Sequence, residues 1–405
     1  MFNELTKRRL IAKGTEGVEA HLSNPNTVYV GIDPTGPDLH IGHMLPLLTL
    51  QRLINAGHKG VVLIGEATAQ IGDPSGKAQE RNLLDQELVK KNAESISSQI
   101  QQLIPNAKIV NNLTWIKNLS ALELLRDVGK HFPINVMLSK DSVEQRREEG
   151  ISFTEFSYQV LQAFDFLKLA ETEQCAIQIG GSDQWGNIIA GIELIRRTTN
   201  AKCSGFTIPL LLKPDGTKMG KSESGAIWLN PTKTSPFQFF QFWRNTPDSQ
   251  IHEFLLKLTW LPINEIDELL AQHQINPNLG KAQEVLATNI TAIIHGEKHA
   301  KSAQLAATTL FGGKKPTSES LNILASELPS IATKELDIPS IMLALGAATS
   351  KSQARRDIVG NGITINGQLV SPEHTLANFK EDPMHQLLLL RKGKKQHFVI
   401  KKLPE

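Results

Sequence analysis

Short apolar runs that alternate with helical stretches restrict the fold of this 405-residue chain more than any other feature. The runs are rich in Val, Ile and Leu and are bounded by polar or turn residues, which is typical of buried strands. Strands that alternate with helices imply a parallel sheet with crossover helices. The predicted strands are Thr27–Ile32, Val61–Gly65, Ala176–Gly180 and Phe206–Leu212, and the predicted helices run from about His40 to Ala56 and around Ile188–Thr198.

The pattern changes twice along the chain. Residues 78–150 are predicted to be mostly helical and to be inserted between two halves of the sheet. Beyond Ser235 the strands stop, and apolar residues recur at helical spacing. The predicted fold class is α/β: a Rossmann-like parallel-sheet domain with a helical insertion, then an all-helical domain and a small α+β domain. The predicted boundaries are 1–230 for the first domain, 231–314 for the helical domain, 315–337 for a linker and 338–405 for the last domain.

Charge is distributed unevenly, although the net charge is only +2. Residues 338–405 contain 10 Lys and Arg against 5 Asp and Glu. A basic domain on a near-neutral body predicts a polyanionic partner for that domain. On charge alone, a solvated basic face explains the imbalance equally well.

Targeting and redox features are few. No apolar run approaches the ~18 residues that cross a bilayer, so we expect no membrane association. The N-terminal residues lack the apolar core of a secretory signal, and Glu4 together with the helical pattern that follows it disfavours a transit peptide. Cys175 and Cys203 have no metal-ligand spacing, so they are expected to be inert thiols in a reducing cytoplasm and no structural metal is predicted.

Two polar segments suggest a phosphate site. His40-Ile41-Gly42-His43 follows the first strand and the turn at 33–37, where the start of a helix would present unpaired N–H groups and its positive dipole end to an anion. The two imidazoles can donate to phosphate oxygens, and Gly42 would let an adenine ring approach the backbone. Residues 215–222, Asp-Gly-Thr-Lys-Met-Gly-Lys-Ser, form a Gly-rich loop that could bring two lysine charges onto a triphosphate. Taken singly, each could be an ordinary surface feature.

In this order, the two segments resemble the paired signatures of the class I aminoacyl-tRNA synthetases. Gly220 departs from the usual Lys-Met-Ser-Lys-Ser loop, and tyrosine enzymes commonly have it. The resemblance implies that an amino-acid carboxylate attacks the α-phosphate of ATP and releases pyrophosphate. Because that carboxylate is already ionised, positioning and charge stabilisation would supply the catalysis. The residues with these roles in the resemblance are His40, His43, Lys218 and Lys221, with Thr35 assisting.

Longer segments resemble the bacterial tyrosyl-tRNA synthetases, and the similarity extends from Leu5 to the basic C-terminal domain. They are Tyr29–Thr35, Ile71–Lys77, Phe153–Asp165 and Gln178–Asn187. The resemblance implies L-tyrosine, ATP with Mg²⁺ and tRNA(Tyr) as partners, and a homodimer. The implied tyrosine-binding residues are Tyr29 and Asp165 for the phenol and Tyr158, Gln162, Asp73 and Gln184 for the ammonium group. The implied ATP-binding residues are Asp33, Gly42, Gly181, Asp183 and Lys221, and Asn112 and Lys77 are weaker assignments.

The tyrosine content supports this pocket without reference to the family. The chain has only two tyrosines, Tyr29 and Tyr158, whereas Phe occurs 15 times. Tyrosine is therefore predicted to be kept only where its hydroxyl has a partner to bind. With phenylalanine bound instead of tyrosine, Tyr29 and Asp165 would stay unpaired, at a cost of roughly 1–3 kcal/mol each.

Three positions depart from the family pattern. Glu66 stands where the family usually has glycine, Leu113-Thr114 replaces a Tyr-Asp pair, and Val30 replaces a frequent cysteine. A carboxylate beside a phosphate site would repel the phosphate. Glu66 therefore either weakens ATP binding or points into solvent.

The C-terminal domain resembles the S4-like RNA-binding module. Residues 349–357 are predicted to form a helix with its cations on one side, and residues 362–367 a strand that ends in an Asn-Gly turn. Such cations would contact RNA phosphates and add affinity rather than sequence choice. The implied RNA-binding residues are Lys351, Arg355, Arg356, Arg391, Lys392, Lys394 and Lys395.

Three other functions are compatible with parts of the sequence. A smaller nucleotidyltransferase could use His-x-Gly-His, but the lysine loop and the basic domain argue against it. A tryptophan enzyme of the same class is disfavoured by Tyr29 and Asp165. A non-catalytic RNA-binding paralogue is disfavoured because both histidines and both lysines are intact.

Overall fold

The computed structural model divides the chain into two compact units. Unit 1 comprises Met1–Lys233 and Asp248–Glu268, and unit 2 comprises Thr234–Pro247 and Leu269–Glu405. The described residues are 1–75, 84–138, 143, 150–212, 216–217, 219, 221–222, 225–311, 315–393 and 396–403. Over these ranges, no helix is long and apolar enough to cross a membrane.

Unit 1 contains a six-stranded sheet whose inner strands are parallel. Its order is β1-β6-β5-β2-β3-β4, and only β1 is antiparallel to its neighbour. A two-stranded hairpin, β7 and β8, is separate from this sheet. The strands are β1 Lys13–Gly14, β2 Thr27–Ile32, β3 Lys59–Ile64, β4 Lys108–Asn111, β5 Cys175–Gly181, β6 Ser204–Ile208, β7 Lys221–Ser222 and β8 Gly225–Ala226.

Helices cover the sheet and supply its crossovers. The longest, α8, begins at the cap Ser152, whose Oγ accepts the N–H of Glu155 at 3.2 Å. Short 3-10 turns at Ile41–His43, Thr68–Gln70 and Ser182–Gln184 each follow the end of a sheet strand. The helices up to residue 199 are α1 Phe2–Lys7, α2 Val18–Leu22, α3 Met44–Asn55, α4 Gln86–Leu103, α5 Leu113–Ile116, α6 Ala121–Glu123, α7 Ile134–Leu138, α8 Phe153–Glu173 and α9 Trp185–Thr199.

The strand order creates a crevice at one edge of the sheet. From β2 the chain proceeds to β3 and β4 on one side, and it later returns to β5 and β6 on the other side. In an open parallel sheet, ligands bind where the order reverses, beyond the carboxyl ends of the strands. Here that point lies between β2 and β5.

The segment predicted as a helical insertion also contains part of the sheet. α4 and β4 continue the alternating pattern, and β4 pairs in parallel with β3. The segment 78–150, predicted as a mostly helical insertion, is mostly helical where it is described and also contributes β4 to the sheet. The signal was weak because β4 is only four residues long and lies at an edge.

The helical spacing predicted beyond Ser235 is present as five helices up to residue 311. Two of them meet at Gly296, which has φ +88° and follows the helix that ends at His295. The helices are α10 Pro236–Arg244, α11 Asp248–Leu258, α12 Ile263–Ile275, α13 Lys281–His295 and α14 Glu297–Phe311.

The C-terminal part of unit 2 is a small α+β fold. Its five-stranded sheet has the order β11-β10-β12-β13-β9, and its core contains buried aliphatic residues from the sheet and from the helices on one face. The Asn366-Gly367 turn joins β10 to β11 with φ +50° and +83°, as a two-residue hairpin requires. The elements are α15 Ser318–Glu327, β9 Ser330–Thr333, α16 Ile338–Ala344, α17 Lys351–Val359, β10 Ile363–Ile365, β11 Gln368–Leu369, β12 Leu387–Lys392 and β13 Gln396–Lys402.

The segment 315–337 differs from the predicted linker. It contains α15 and β9, and β9 pairs in parallel with β13 at the edge of the C-terminal sheet. The predicted fold class is confirmed: a Rossmann-like parallel core, many helices and a second, smaller sheet near the C-terminus.

Candidate active site

A cavity of about 590 Å³ opens at the crevice between β2 and β5. The strand ends and the 3-10 turns that follow them bring distant parts of the chain to this point. Its wall contains thirteen of the residues predicted from the sequence: Tyr29, Asp33, Thr35, His40, Gly42, His43, Asp73, Tyr158, Gln162, Asp165, Gly181, Asp183 and Gln184.

α8 supplies one wall of this cavity. Tyr158, Gln162 and Asp165 follow one another at i, i+4 and i+7, so they lie on one face of the helix. Tyr158 and Asp165 are buried, and all three line the cavity. The sequence spacing therefore accounts for their convergence.

Asp165 is a buried carboxylate held by two side-chain donors. The indole Nε1 of Trp115 donates to Oδ1 at 2.8 Å, and Nδ2 of Asn112 donates to Oδ2 at 3.0 Å. Burial raises the pKa of Asp165 to about 7, although these two donors act to lower it. Each carboxylate oxygen keeps a lone pair for a further donor.

Tyr29 lies on the central strand and is 1% exposed. Its hydroxyl has no hydrogen-bond partner among the described residues, although it lines the cavity. Burial, and then the charge of Asp165, raises the pKa of Tyr29 well above its usual value, so the phenol is neutral. Gln178 on β5 also lines the cavity, and its Oε1 has no partner within the described ranges.

The other polar residues of the cavity are connected to one another. Asp33 accepts the Tyr158 hydroxyl at 2.8 Å and the Thr68 hydroxyl at 2.8 Å. Asp73 accepts Nε2 of Gln184 at 2.7 Å. Asn187 continues this network by donating to Oε1 of Gln162 at 2.9 Å and to Oε1 of Gln184 at 3.2 Å.

The two histidines of the His-x-Gly-His segment are stacked, with ring centroids 4.0 Å apart. Nδ1 of His40 accepts the N–H of Gly42 at 3.0 Å, and Nδ1 of His43 accepts the N–H of His40 at 3.1 Å. Because a backbone N–H can only donate, both Nδ1 atoms are unprotonated and both Nε2 atoms carry the hydrogen. Burial, and then the proximity of His40, lowers the pKa of His43 to about 3, so it is a neutral donor.

This arrangement corrects one expectation about the helix start. Gly42 and His40 give their N–H groups to imidazoles, and Ile41 gives its own to the carbonyl of Ile227 at 3.0 Å. The expectation of unpaired N–H groups at these residues is therefore wrong. Gly42 is required by packing, because a Cβ at this position would lie 2.7 Å from Cε1 of His40.

The lysine loop is described only in part. Lys218 lies outside the described residues, as does Lys77. The backbone of Lys221 is described, and it lies in β7, which pairs with β8. Met219, between the two lysines, lines the cavity, and its N–H donates to the carbonyl of Leu211 at 2.7 Å.

The departures from the family pattern have separate explanations. Glu66 is buried and accepts a hydrogen bond from Asn111, so it does not point into solvent. It is not among the residues that line the cavity. Val30 does line it, whereas Leu113 and Thr114 begin α5, where Thr114 is exposed.

Sequence reasoning gave no role to several residues that complete the site. Trp115, Thr68 and Asn187 make hydrogen bonds to predicted residues, and Asn112, a weak assignment, lies directly behind Asp165. Asn187 belongs to a segment already singled out, so its inclusion could have been anticipated. No local sequence signal connects Trp115 with Asp165, which is 50 positions away.

The predicted RNA-binding cations of unit 2 fall into two groups. Lys351, Arg355 and Arg356 are exposed on α17, where Ala354 and Ile358 form the buried face. Lys392 is engaged within the protein, because its Nζ pairs with Asp357 at 2.8 Å and donates to the Ala347 carbonyl at 2.8 Å.

The other predicted RNA-binding cations are Arg391, Lys394 and Lys395. Arg391 is half-buried, and its Nε donates to the carbonyl of Gly393 at 2.8 Å. Lys394 and Lys395 lie outside the described residues. Of the predicted cations in the described part of unit 2, the three on α17 therefore present the most accessible charge.

Comparison with known proteins gives concordant results. A family described as tRNA synthetases class I (W and Y) matches residues 22–312, and one described as the tyrosine–tRNA ligase SYY-like C-terminal domain matches residues 320–400. The chain is 44% identical to a tyrosine–tRNA ligase of Listeria monocytogenes over 92% of each chain. It is 42% identical to tyrosine–tRNA ligase 1 of Vibrio parahaemolyticus over 99% of each. A C-terminally truncated mitochondrial tyrosyl-tRNA synthetase of Aspergillus nidulans superposes with a TM-score of 0.69 and 31% identity, covering 76% of this chain and 93% of that one.

Proposed function

The chain belongs to the tyrosyl-tRNA synthetases, and from that premise we propose how its cavity divides the work of joining tyrosine to tRNA with ATP. The observation that carries the proposal is the pair formed by Tyr29 and Asp165. One is a buried hydroxyl without a partner in the described protein, and the other is a buried carboxylate with spare lone pairs. Both line the same cavity.

The phenol of tyrosine binds between these two groups. The Tyr29 hydroxyl donates to the phenol oxygen, and the phenol donates to Asp165, so Tyr29 gains a partner and Asp165 gains a third donor. Phenylalanine fills the same space but leaves the Tyr29 hydroxyl unpaired, which costs roughly 1–3 kcal/mol, and it offers no donor to Asp165. Trp115 and Asn112 act through Asp165 by fixing the orientation of its carboxylate.

The ammonium group of tyrosine binds beside Asp73, on the same face of α8 and one to two turns before Asp165. Asp73 supplies the negative charge, and Gln162, Gln184 and Tyr158 supply oxygen acceptors around it. The free enzyme supports this assignment because Asp73 already accepts from Gln184. Asn187 holds the two glutamine oxygens in place.

ATP lies along the histidine side, with its adenosine near Asp33, Gly42, Gly181 and Asp183. The tyrosine carboxylate attacks the α-phosphorus, a new oxygen–phosphorus bond forms, and the bond to the pyrophosphate oxygen breaks. No proton is transferred, so the site needs no general base. Neutral donors at Nε2 of His40 and His43 stabilise the charge that accumulates on the phosphate oxygens.

Lys218 and Lys221 are proposed to neutralise the departing pyrophosphate, with Thr35 beside the histidines. Mg²⁺ is proposed to arrive bound to ATP. Among the described residues, no group of three or more His, Cys, Asp and Glu side chains could hold a metal ion. The ion would neutralise part of the negative charge of the triphosphate.

The cations of α17 are proposed to contact phosphates of tRNA(Tyr). Lys351, Arg355 and Arg356 are all exposed on this helix. Phosphate contacts of this kind position the RNA without reading its sequence. A tRNA substrate also makes the cytoplasm the proposed location.

A homodimer is proposed from an exposed apolar surface on unit 1. The segment 119–138 and the start of α8 pack on one core, and each also presents large apolar side chains outwards. Phe153 is the largest of these and is 75% exposed. Patches of this kind mark association surfaces. The exposed members are Leu122, Leu125, Ile134, Val136 and Phe153.

ATP–pyrophosphate exchange without tRNA, measured separately with tyrosine, phenylalanine and tryptophan, tests the assignment. Strong exchange with tyrosine alone is the expected result. Exchange with another amino acid would overturn the role of Tyr29 and Asp165 while keeping the reaction class. No exchange with any of them, together with normal tRNA binding, would point to an RNA-binding paralogue.

A further inference from the structure

The chain segment that follows the lysine loop lies directly against the segment that leads into the histidines. Residues 227–229 run antiparallel to residues 39–41. The Ile41 N–H donates to the Ile227 carbonyl at 3.0 Å, and the Leu229 N–H donates to the Leu39 carbonyl at 2.8 Å. His40 and Trp228 form the bridge between these two bonds. The loop therefore returns from β8 straight onto the histidine motif.

An ion pair between a buried carboxylate and a surface lysine lies at the far end of this pairing. Asp38 is 5% exposed and forms a salt bridge with Lys233. Nδ2 of Asn230 donates to Asp38 Oδ1 at 2.6 Å, and Nε2 of Gln99 donates to the same oxygen at 3.0 Å. Gln99 also accepts the Leu39 N–H at 3.0 Å. Burial acts to raise the pKa of Asp38, but the bonds from Lys233 and Asn230 outweigh it, so the carboxylate stays ionised.

Contacts continue from this ion pair to His40. Lys233 Nζ lies 4.8 Å from the ring centroid of Trp228, within the range of a cation–π interaction. The Trp228 ring meets His40 edge-on, with centroids 6.2 Å apart. Trp228 is thus held between the cation of the ion pair and one of the proposed catalytic imidazoles.

We propose that Asp38, Asn230 and Lys233 form a latch that fixes the carboxyl-terminal end of the lysine loop to the histidine motif. They are positioning residues for adenylate formation, and the inference rests on the proposed roles of His40 and Lys221. The loop must place its lysines on the pyrophosphate that the histidines also contact. With one end already fixed, less conformational entropy is lost when the loop reaches the transition state.

The latch predicts a separation between rate and tyrosine binding. The residues proposed to contact tyrosine on α8 do not touch Asp38 or Lys233, so tyrosine affinity should be unaffected. The first-order rate of adenylate formation should fall about tenfold in Lys233→Met and in Asp38→Asn, corresponding to about 1.4 kcal/mol. The double variant should lose no more than the larger single loss, because either change opens the same latch. Lys233→Arg keeps the cation and should retain at least about a third of the rate.

The test is single-turnover adenylate formation with the full chain, together with equilibrium dialysis of tyrosine. Lys108→Met is the matched control, because it breaks the 2.7 Å Lys108–Glu173 ion pair of the same unit, which contacts neither motif. The expected result is a slow rate with unchanged tyrosine affinity for both latch variants, and an unchanged rate for the control.

Three outcomes would overturn the latch. They are a wild-type rate in Lys233→Met, a roughly hundredfold loss in the double variant, and a loss of tyrosine affinity in proportion to the rate. If Asp38→Asn fails to fold, Lys233→Met and Lys233→Arg still decide the question, since Lys233 is on the surface. Failure of the proposed function is distinguishable, because the wild-type chain would then form no adenylate.

Discussion

Replacing each of the two tyrosines by phenylalanine should affect the free energy of unfolding differently. Tyr29 and Tyr158 are both buried and both line the cavity, but among the described residues only the Tyr158 hydroxyl has a partner, Asp33 at 2.8 Å. An unpaired buried hydroxyl costs about 1–3 kcal/mol, so Tyr29→Phe should leave the free energy of unfolding unchanged or raise it by up to that amount. Tyr158→Phe removes a hydrogen bond to a charged group and should lower it by about 1.5–3 kcal/mol.

Ligand binding should follow a different order. A hydrogen bond between neutral groups contributes about 0.5–1.5 kcal/mol, so Tyr29→Phe should weaken tyrosine binding about 2- to 13-fold. Phenylalanine offers the Tyr29 hydroxyl no partner, so its affinity should stay the same or increase. The variant should therefore be at least as stable as the wild type and less selective.

Urea unfolding of the free enzyme and equilibrium dialysis with tyrosine and phenylalanine measure the two effects. Tyr158→Phe is the matched control, since it makes the same chemical change in the same cavity. A Tyr29→Phe variant that loses more than about 1 kcal/mol of stability would refute the reasoning, because its hydroxyl would then have a partner in the free enzyme. Equal losses of affinity for both amino acids would refute the assignment to the phenol.

Further predictions concern the charged and apolar residues. Because burial raises the pKa of Asp165 to about 7, the folded protein holds a proton that the unfolded chain loses near pH 4. Between these two pH values, the free energy of unfolding should fall with rising pH by up to about 1.4 kcal/mol per pH unit. Urea unfolding of Asp165→Asn should show no such pH dependence. The same pH dependence in this variant as in the wild type would refute the assignment to Asp165. Lys392→Met should lower the melting temperature, because it removes the ion pair with Asp357 and the hydrogen bond to the Ala347 carbonyl. Arg355→Ala should leave the melting temperature unchanged, but it should weaken tRNA binding and reduce the salt dependence of that binding. Phe153→Lys should shift the sedimentation coefficient from dimer to monomer, and a persistent dimer would place the interface elsewhere.

Much of the fold could be predicted because burial leaves a direct trace in the sequence. β2 is covered on both faces, so it is a continuous apolar run, and its predicted limits Thr27–Ile32 are those observed. The face of α8 follows from helical spacing, and the Asn366-Gly367 hairpin follows from residues that accept positive φ. Each of these patterns lies within a short stretch of sequence, so it can be recognised without knowing which distant residues are in contact.

The parts that could not be predicted depend on contacts between distant positions. Trp115 reaches Asp165 only because α5 packs beside α8 at the end of the sheet. Lys392 was predicted to bind RNA from its basic sequence cluster, and the residues next to it in the sequence do not show that it pairs with Asp357. Glu66 was predicted to repel phosphate or to point into solvent, because the sequence does not show that Asn111, 45 positions away, donates a hydrogen bond to it. In each case the charge was visible in the sequence, but its partner was not.

The two ends of the cavity solve the problem of buried polar groups in different ways. At the histidine end, both Nδ1 atoms are paired with backbone N–H groups, so that end is complete before ATP binds. At the phenol end, the Tyr29 hydroxyl and Gln178 Oε1 have no partner in the described protein, and burial raises the pKa of Asp165. That end is therefore destabilised until a ligand with a polar group fills it. On the proposed function, we therefore expect selectivity to reside at the phenol end, and the preorganised histidine end to contribute to rate for whichever amino acid is bound.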